Sequence, residues 1–104
     1  MSGHELTVGR GVIAEMVRLA AFEVPGVARV GRGGAAWRTW LGGPAVRVRT
    51  DDDRVAVRIW IVARPGQQIG PLSAQVREAI GATVERLLGL ELDAVTVLVD
   101  GVGG

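Results

Sequence analysis

The chain has 104 residues, which suits one domain rather than a catalytic domain with a regulatory one, and its 48% hydrophobic content can fill a core without staples. There is no cysteine and a single histidine, His4, and every basic residue is an arginine; disulfides, thiolate metal sites, cysteine nucleophiles and lysine chemistry are excluded, and histidine-based clusters or triads nearly so. A formal charge of +1 offers no broad basic field, so nucleic-acid binding by gross charge is disfavoured, and no apolar stretch approaches the roughly 20 residues that cross a bilayer.

In chain order, Val8, Val12, Ile13, Met16, Leu19 and Ala20 recur at helical spacing and predict a first helix over about 9–23. Its end is set by Pro25, which disfavours helical geometry at Val24, and by Gly26, which permits a turn. VARV, 27–30, is a short strand candidate. Residues 31–44 are too rich in glycine for a regular element throughout and predict a loop, with at most one helical turn at AAWRTWL. AVRVRT and RVAVRIWIV then alternate with period two around an acidic turn, predicting a β-hairpin with strands near 45–50 and 54–63.

In that hairpin Val46 and Val48 face the core with Val55, Val57, Ile59 and Ile61, while Arg47, Arg49, Arg58 and Trp60 take the other face. Pro71 suits the first position of a second helix, whose apolar stripe is Leu72, Val76, Ala79, Ile80, Thr83, Val84 and Leu87 and which stops at Gly89. DAVTVLVD, 93–100, is a closing strand, and right-handed crossover through the helix places it parallel to the 54–63 strand. The fold expected is a two-layer α/β sandwich: a small mixed sheet, made of the hairpin plus a parallel C-terminal strand, with two helices on its Val/Ile face. One domain, 1–104, has its core over about 8–102 and a glycine-rich loop at 31–44.

Candidate chemistry is sparse. GVARVGRG, 26–33, approaches the phosphate-binding pattern G-x-x-x-x-G-K-[ST], but Arg32 stands in place of the lysine, Gly33 in place of the hydroxyl, and no long helix follows to meet a phosphate. Asp51, Asp52 and Asp53 carry carboxylates that hard cations favour, yet a solvated hairpin tip accounts for them. Glu78 and Glu85 read as solvated helix charges beside Arg77 and Arg86. No catalytic residue, metal site or cofactor is expected, and the chain is not expected to be an enzyme.

Two surfaces remain as interaction candidates. On the outward sheet face Arg47, Arg49, Arg58 and Trp60, joined by Leu98, mix arginine, aromatic and aliphatic groups that neither helix covers. A partner's helix, a second copy, or single-stranded RNA stacking on Trp60 could use this face, and an ordinary half-solvated sheet face would look the same. In the loop, Trp37, Trp40 and Leu41 fall near one side of a helical turn, flanked by Arg32 and Arg38. That is a pattern suited to a membrane interface, or to aromatics folded back over the core.

The run AAFEVPGVARVG, the hairpin VRVRTDDDRVAVRIWIVARPGQQI, the helix LSAQVREAIGATVERLLGL and the closing LDAVTVLVDGV together resemble the alkaline-shock-protein family of bacterial envelope-stress proteins, over about 10–102. The resemblance implies a small non-enzymatic α/β domain of the cytoplasm that self-associates and reaches the membrane through a protein partner. It carries no catalytic motif, so no residue inherits a catalytic role. The expected function is a non-catalytic interaction or scaffold module of the envelope stress response, with a small RNA-binding module on the Arg/Trp face as the alternative.

Overall fold

The computed structural model describes residues 9–31 and 44–103. Its elements are α1 (Arg10–Phe22), β1 (Val27–Val30), β2 (Val46–Asp51), β3 (Arg54–Ala63), α2 (Ile69–Ala82) continued by a π-helical turn (Thr83–Leu87), and β4 (Glu91–Val102). The two-layer α/β sandwich read from the sequence is the observed architecture, with both helices packed on one face of a four-stranded mixed sheet.

β3 is the centre of the sheet. β2 pairs antiparallel with its first half, from Asp51 opposite Arg54 to Val46 opposite Ile59, and β1 pairs antiparallel with its last residues, Val30 opposite Ile61 and Val27 opposite Ala63. β4 runs parallel along the whole of β3 on the other side, from Glu91 beside Arg54 to Val102 beside Ala63. Since β4 occupies one edge of β3 throughout, β1 and β2 must lie end to end along the opposite edge, as one edge strand interrupted between Gly31 and Ala45. Both stems of the interruption are tied to a single residue of β3. The Trp60 N–H donates to the Ala45 carbonyl at 2.8 Å, and the Gly31 N–H donates to the Trp60 carbonyl at 2.9 Å. The hairpin was legible in the sequence; this end-to-end pairing of β1 was not.

The core lies between sheet and helices. Val55, Val57, Ile59, Ile61 and Ala63 of β3 meet Ile13, Val17 and Ala21 of α1 and Leu72, Val76 and Ile80 of α2, with Val84 of the π turn. Val46, Val48, Val95, Val97 and Val99 pack against them from the flanking strands. Each buried Val, Leu or Ile side chain stabilises by about 1.5–3 kcal/mol relative to its exposed state, which is what fixes the strand register.

Three local features depart from the sequence reading. The buried stripe of α1 is Ile13, Val17, Ala20 and Ala21, whereas Val12, Leu19 and Phe22 are 55%, 44% and 51% exposed; apolar residues run around more than one side of this helix, so periodicity alone placed the stripe one position off. α2 begins two residues before Pro71, which sits in the first turn where a missing N–H costs nothing. At the C-terminal end of α2 the Leu88 N–H reaches the Thr83 carbonyl, five residues back, at 3.1 Å. That wider turn rotates the chain, so Leu88 packs on the core and Leu87 points away, 65% exposed.

Gly26 is required by packing as well as by the turn. A Cβ on it would fall 2.7 Å from Leu72 Cδ1 and collide with the Gln67 side-chain oxygen, where the α1–β1 connection crosses the start of α2. Asp52 opens the two-residue turn between β2 and β3 with φ 57°, a left-handed conformation that aspartate tolerates.

Candidate functional site

With the helices on the Val/Ile face, the even-numbered side chains of β3 point to the open side, and the ladder registers define the surface row by row. Arg47 of β2 stands directly opposite Arg58 of β3, which pairs with Thr96 of β4. The next row is Arg49, Ala56 and Ala94, and on the other side Trp60 pairs with Leu98. The structure thus brings together Arg47, Arg49, Arg58, Trp60 and Leu98 on one surface that neither helix covers, as the alternation predicted. The three arginines are exposed, and Trp60 and Leu98 are half-buried.

Long and short side chains on this surface make a relief. Arg47, Arg49 and Arg58 rise around Ala56, Ala94 and Thr96 to form a groove of about 400 Å³. The Arg47 guanidinium lies 5.8 Å from the centre of the Trp60 ring, within cation–π range. None of the three arginines makes an ion pair among the described residues, in contrast to Arg54 with Glu91 at 3.6 Å and Arg18 with Glu15 on α1. Arg47 and Arg58 are like charges in directly opposed positions, an arrangement that costs stability in a β-ladder. At one end of the groove Asp51 and Asp93 share a smaller depression with Arg49 and Arg54.

The loop candidates Arg32, Trp37, Arg38, Trp40 and Leu41 lie outside the described residues. What the structure adds is the position of their two stems, Gly31 and Ala45, both bonded to the backbone of Trp60. Sequence reasoning also missed an apolar stripe on the outer side of α1, formed by Val12, Leu19 and Phe22 at spacings of seven and three. The signal was present, in that the apolar residues of this helix outnumber the positions one buried face can use.

No group of three His, Cys, Asp or Glu capable of holding a metal ion occurs among the described residues, and no described helix is long and apolar enough to cross a membrane. Glu78 and Glu85 are exposed on α2 and the π turn.

Comparison with known proteins bears on the whole fold rather than on this face alone. Among curated proteins, none matches the chain. Among solved structures it is similar to a manganese form of a MamM CTD variant, with 16% identity, a TM-score of 0.65, and coverage of 91% of this chain and 87% of that one. A copper form of a MamM CTD variant gives 17% identity and a TM-score of 0.58 over 89% and 98% of the two chains. A zinc form gives 18% and 0.56 over 88% and 84%. At these identities the likeness is one of fold. The family model of alkaline shock protein 23, described by a cell envelope-related function, matches residues 2–103. This chain belongs to that family.

Proposed function

We propose that the protein is a non-catalytic interaction module of the cell envelope stress response, working in the cytoplasm at the membrane through self-association or a membrane-anchored protein partner. The observation that carries this reading is the asymmetry of the sheet. One face is sealed by two helices, and the other presents arginine, tryptophan and aliphatic groups with no element over it among the described residues. Family membership supports the envelope setting. The scarcity of nucleophiles and acid/base groups supports a role in binding rather than in catalysis: the groove is walled by arginine and floored by alanine and threonine.

The test is light scattering over a concentration series together with capture of membrane proteins from solubilised membranes, for the wild type and for W60A/L98A. Association or capture that the double substitution abolishes is the expected result. A chain that stays monomeric at high concentration and captures no membrane protein would overturn the reading.

A further inference from the structure

We propose that the arginine-walled groove of the open face is a docking site for an extended acidic segment of a partner protein. This rests on the reading of the open face as a contact surface and specifies the chemistry that the surface recognises.

Three observations converge on that ligand. First, Arg47 and Arg58 oppose each other across the ladder with Arg49 diagonal to Arg58, and none has a carboxylate partner among the described residues. Three clustered guanidinium groups repel one another until an anion arrives, and each then offers planar, charge-assisted donors that match a carboxylate. Second, the spacing suits an extended peptide. Arg47 and Arg49 are two residues apart on one strand, hence about 7 Å, which is the repeat of alternate side chains in any extended chain. Glutamates at every second position of a peptide laid along β2 therefore meet both in turn, while Arg58 reaches in from the neighbouring strand. Third, the floor of Ala56 and Ala94 lets a backbone approach closely, and Thr96 adds a hydroxyl beside Arg58.

The charges around the groove select against a long polyanion. Asp51 and Asp93 stand at its end, and β4 carries Glu91, Asp93 and Asp100 with no basic residue. A nucleic acid strand tracking the arginines would run onto these carboxylates, whereas a segment with two or three acidic side chains ends before them. Trp60, the one aromatic ring on the face among the described residues, already has a guanidinium against it, so the described residues build no stacking platform for successive bases.

The experiment measures fluorescence anisotropy of a labelled ten-residue peptide alternating Glu and Thr. Beside it run the same peptide with Gln for Glu, and a mixed-sequence single-stranded DNA ten-mer. The Glu peptide is expected to bind the wild type, to bind less well as salt rises, and to exceed the Gln peptide by about tenfold or more, the product of three modest charge pairs. R47Q/R49Q/R58Q should lose that margin, R47K/R49K/R58K should recover part of it, and R77Q/R86Q on the helix side should leave it unchanged. Melting of the glutamine triple variant at or above the wild-type temperature confirms that the loss is not unfolding. Equal affinity for the Gln peptide, unchanged binding by the glutamine triple variant, or tighter binding of the oligonucleotide overturns the proposal. Light scattering and membrane capture on the same variants separate the two readings. Association without peptide binding removes the acidic ligand and leaves the interaction module standing; peptide binding by a chain that neither associates nor captures does the reverse.

Discussion

Along β3, one backbone carries two surfaces. Val55, Val57, Ile59 and Ile61 are at most 3% exposed under the helices, while Arg58, between buried Val57 and Ile59, is exposed to solvent. The covered face is specified by volume: its side chains are branched aliphatics that fill the space between sheet and helices. The open face is specified by charge and reach, and its residues contribute little to that packing. Stability and recognition are thus separated by a single step along the chain, so each can be perturbed without the other.

The largest effect should come from the covered side. Ile59→Ala removes a fully buried side chain from the centre of the core and is expected to destabilise the fold by about 2–5 kcal/mol in denaturant unfolding, with no compensating gain in solvation. A cost below about 1 kcal/mol would mean that the helices close over the void, and would blur the distinction between the two faces.

The same contrast explains what the sequence could reveal. Period-two alternation made the hairpin and both of its faces legible, since a side chain on a strand has only two directions to take. The parallel placement of β4 followed from crossover handedness. α1 was harder, because nine apolar residues from Val12 to Phe22 fit more than one rotation of the helix; only the partner surfaces decide which of them are buried. The π turn at Thr83–Leu87 left no residue-type signature, and it exchanged Leu87 for Leu88 at the core. The docking of β1 onto the end of β3 is a long-range pairing across an interrupted edge, which local pattern does not encode. Of the candidate site, the identities of Arg47, Arg49, Arg58, Trp60 and Leu98 were legible. Their grouping into rows required the register between three strands, and the direct opposition of Arg47 and Arg58 emerged only there.

That opposition gives the next prediction, opposite in sign to the first. Arg58→Thr takes one of two facing like charges from the ladder and supplies a β-branched residue suited to a strand. It should raise the melting temperature by about 1–5 °C, from a gain of about 0.2–1 kcal/mol in a domain of this size. The gain should shrink as salt screens the repulsion in the wild type. A fall in melting temperature of the same size would show that the guanidinium is anchored rather than strained, and would remove the electrostatic reason for an anion to settle there.

The smallest effect concerns charges on the helix side, where the pairing logic is reversed. On α1 the Arg18 guanidinium donates to the Glu15 carboxylate, with Nε 3.2 Å from Oε1 and Nη2 on Oε2, and this hydrogen bond holds the Glu15 carboxyl below its ordinary value. A carboxyl whose folded value is lowered adds stability above the unfolded carboxylate range, and that contribution disappears as pH falls through the folded value. Glu15→Gln should therefore lower the melting temperature slightly near neutral pH, by less than Arg58→Thr raises it, and the two proteins should converge as the solution is acidified below the carboxylate range. The pair lies on the solvent side of the helix, so salt should erase most of the difference at neutral pH as well. A difference that persisted in acid would place the role of Glu15 in packing or helix propensity. The contrast between a helix arginine matched within the chain and a sheet face whose arginines wait for an outside partner would then rest on the open face alone.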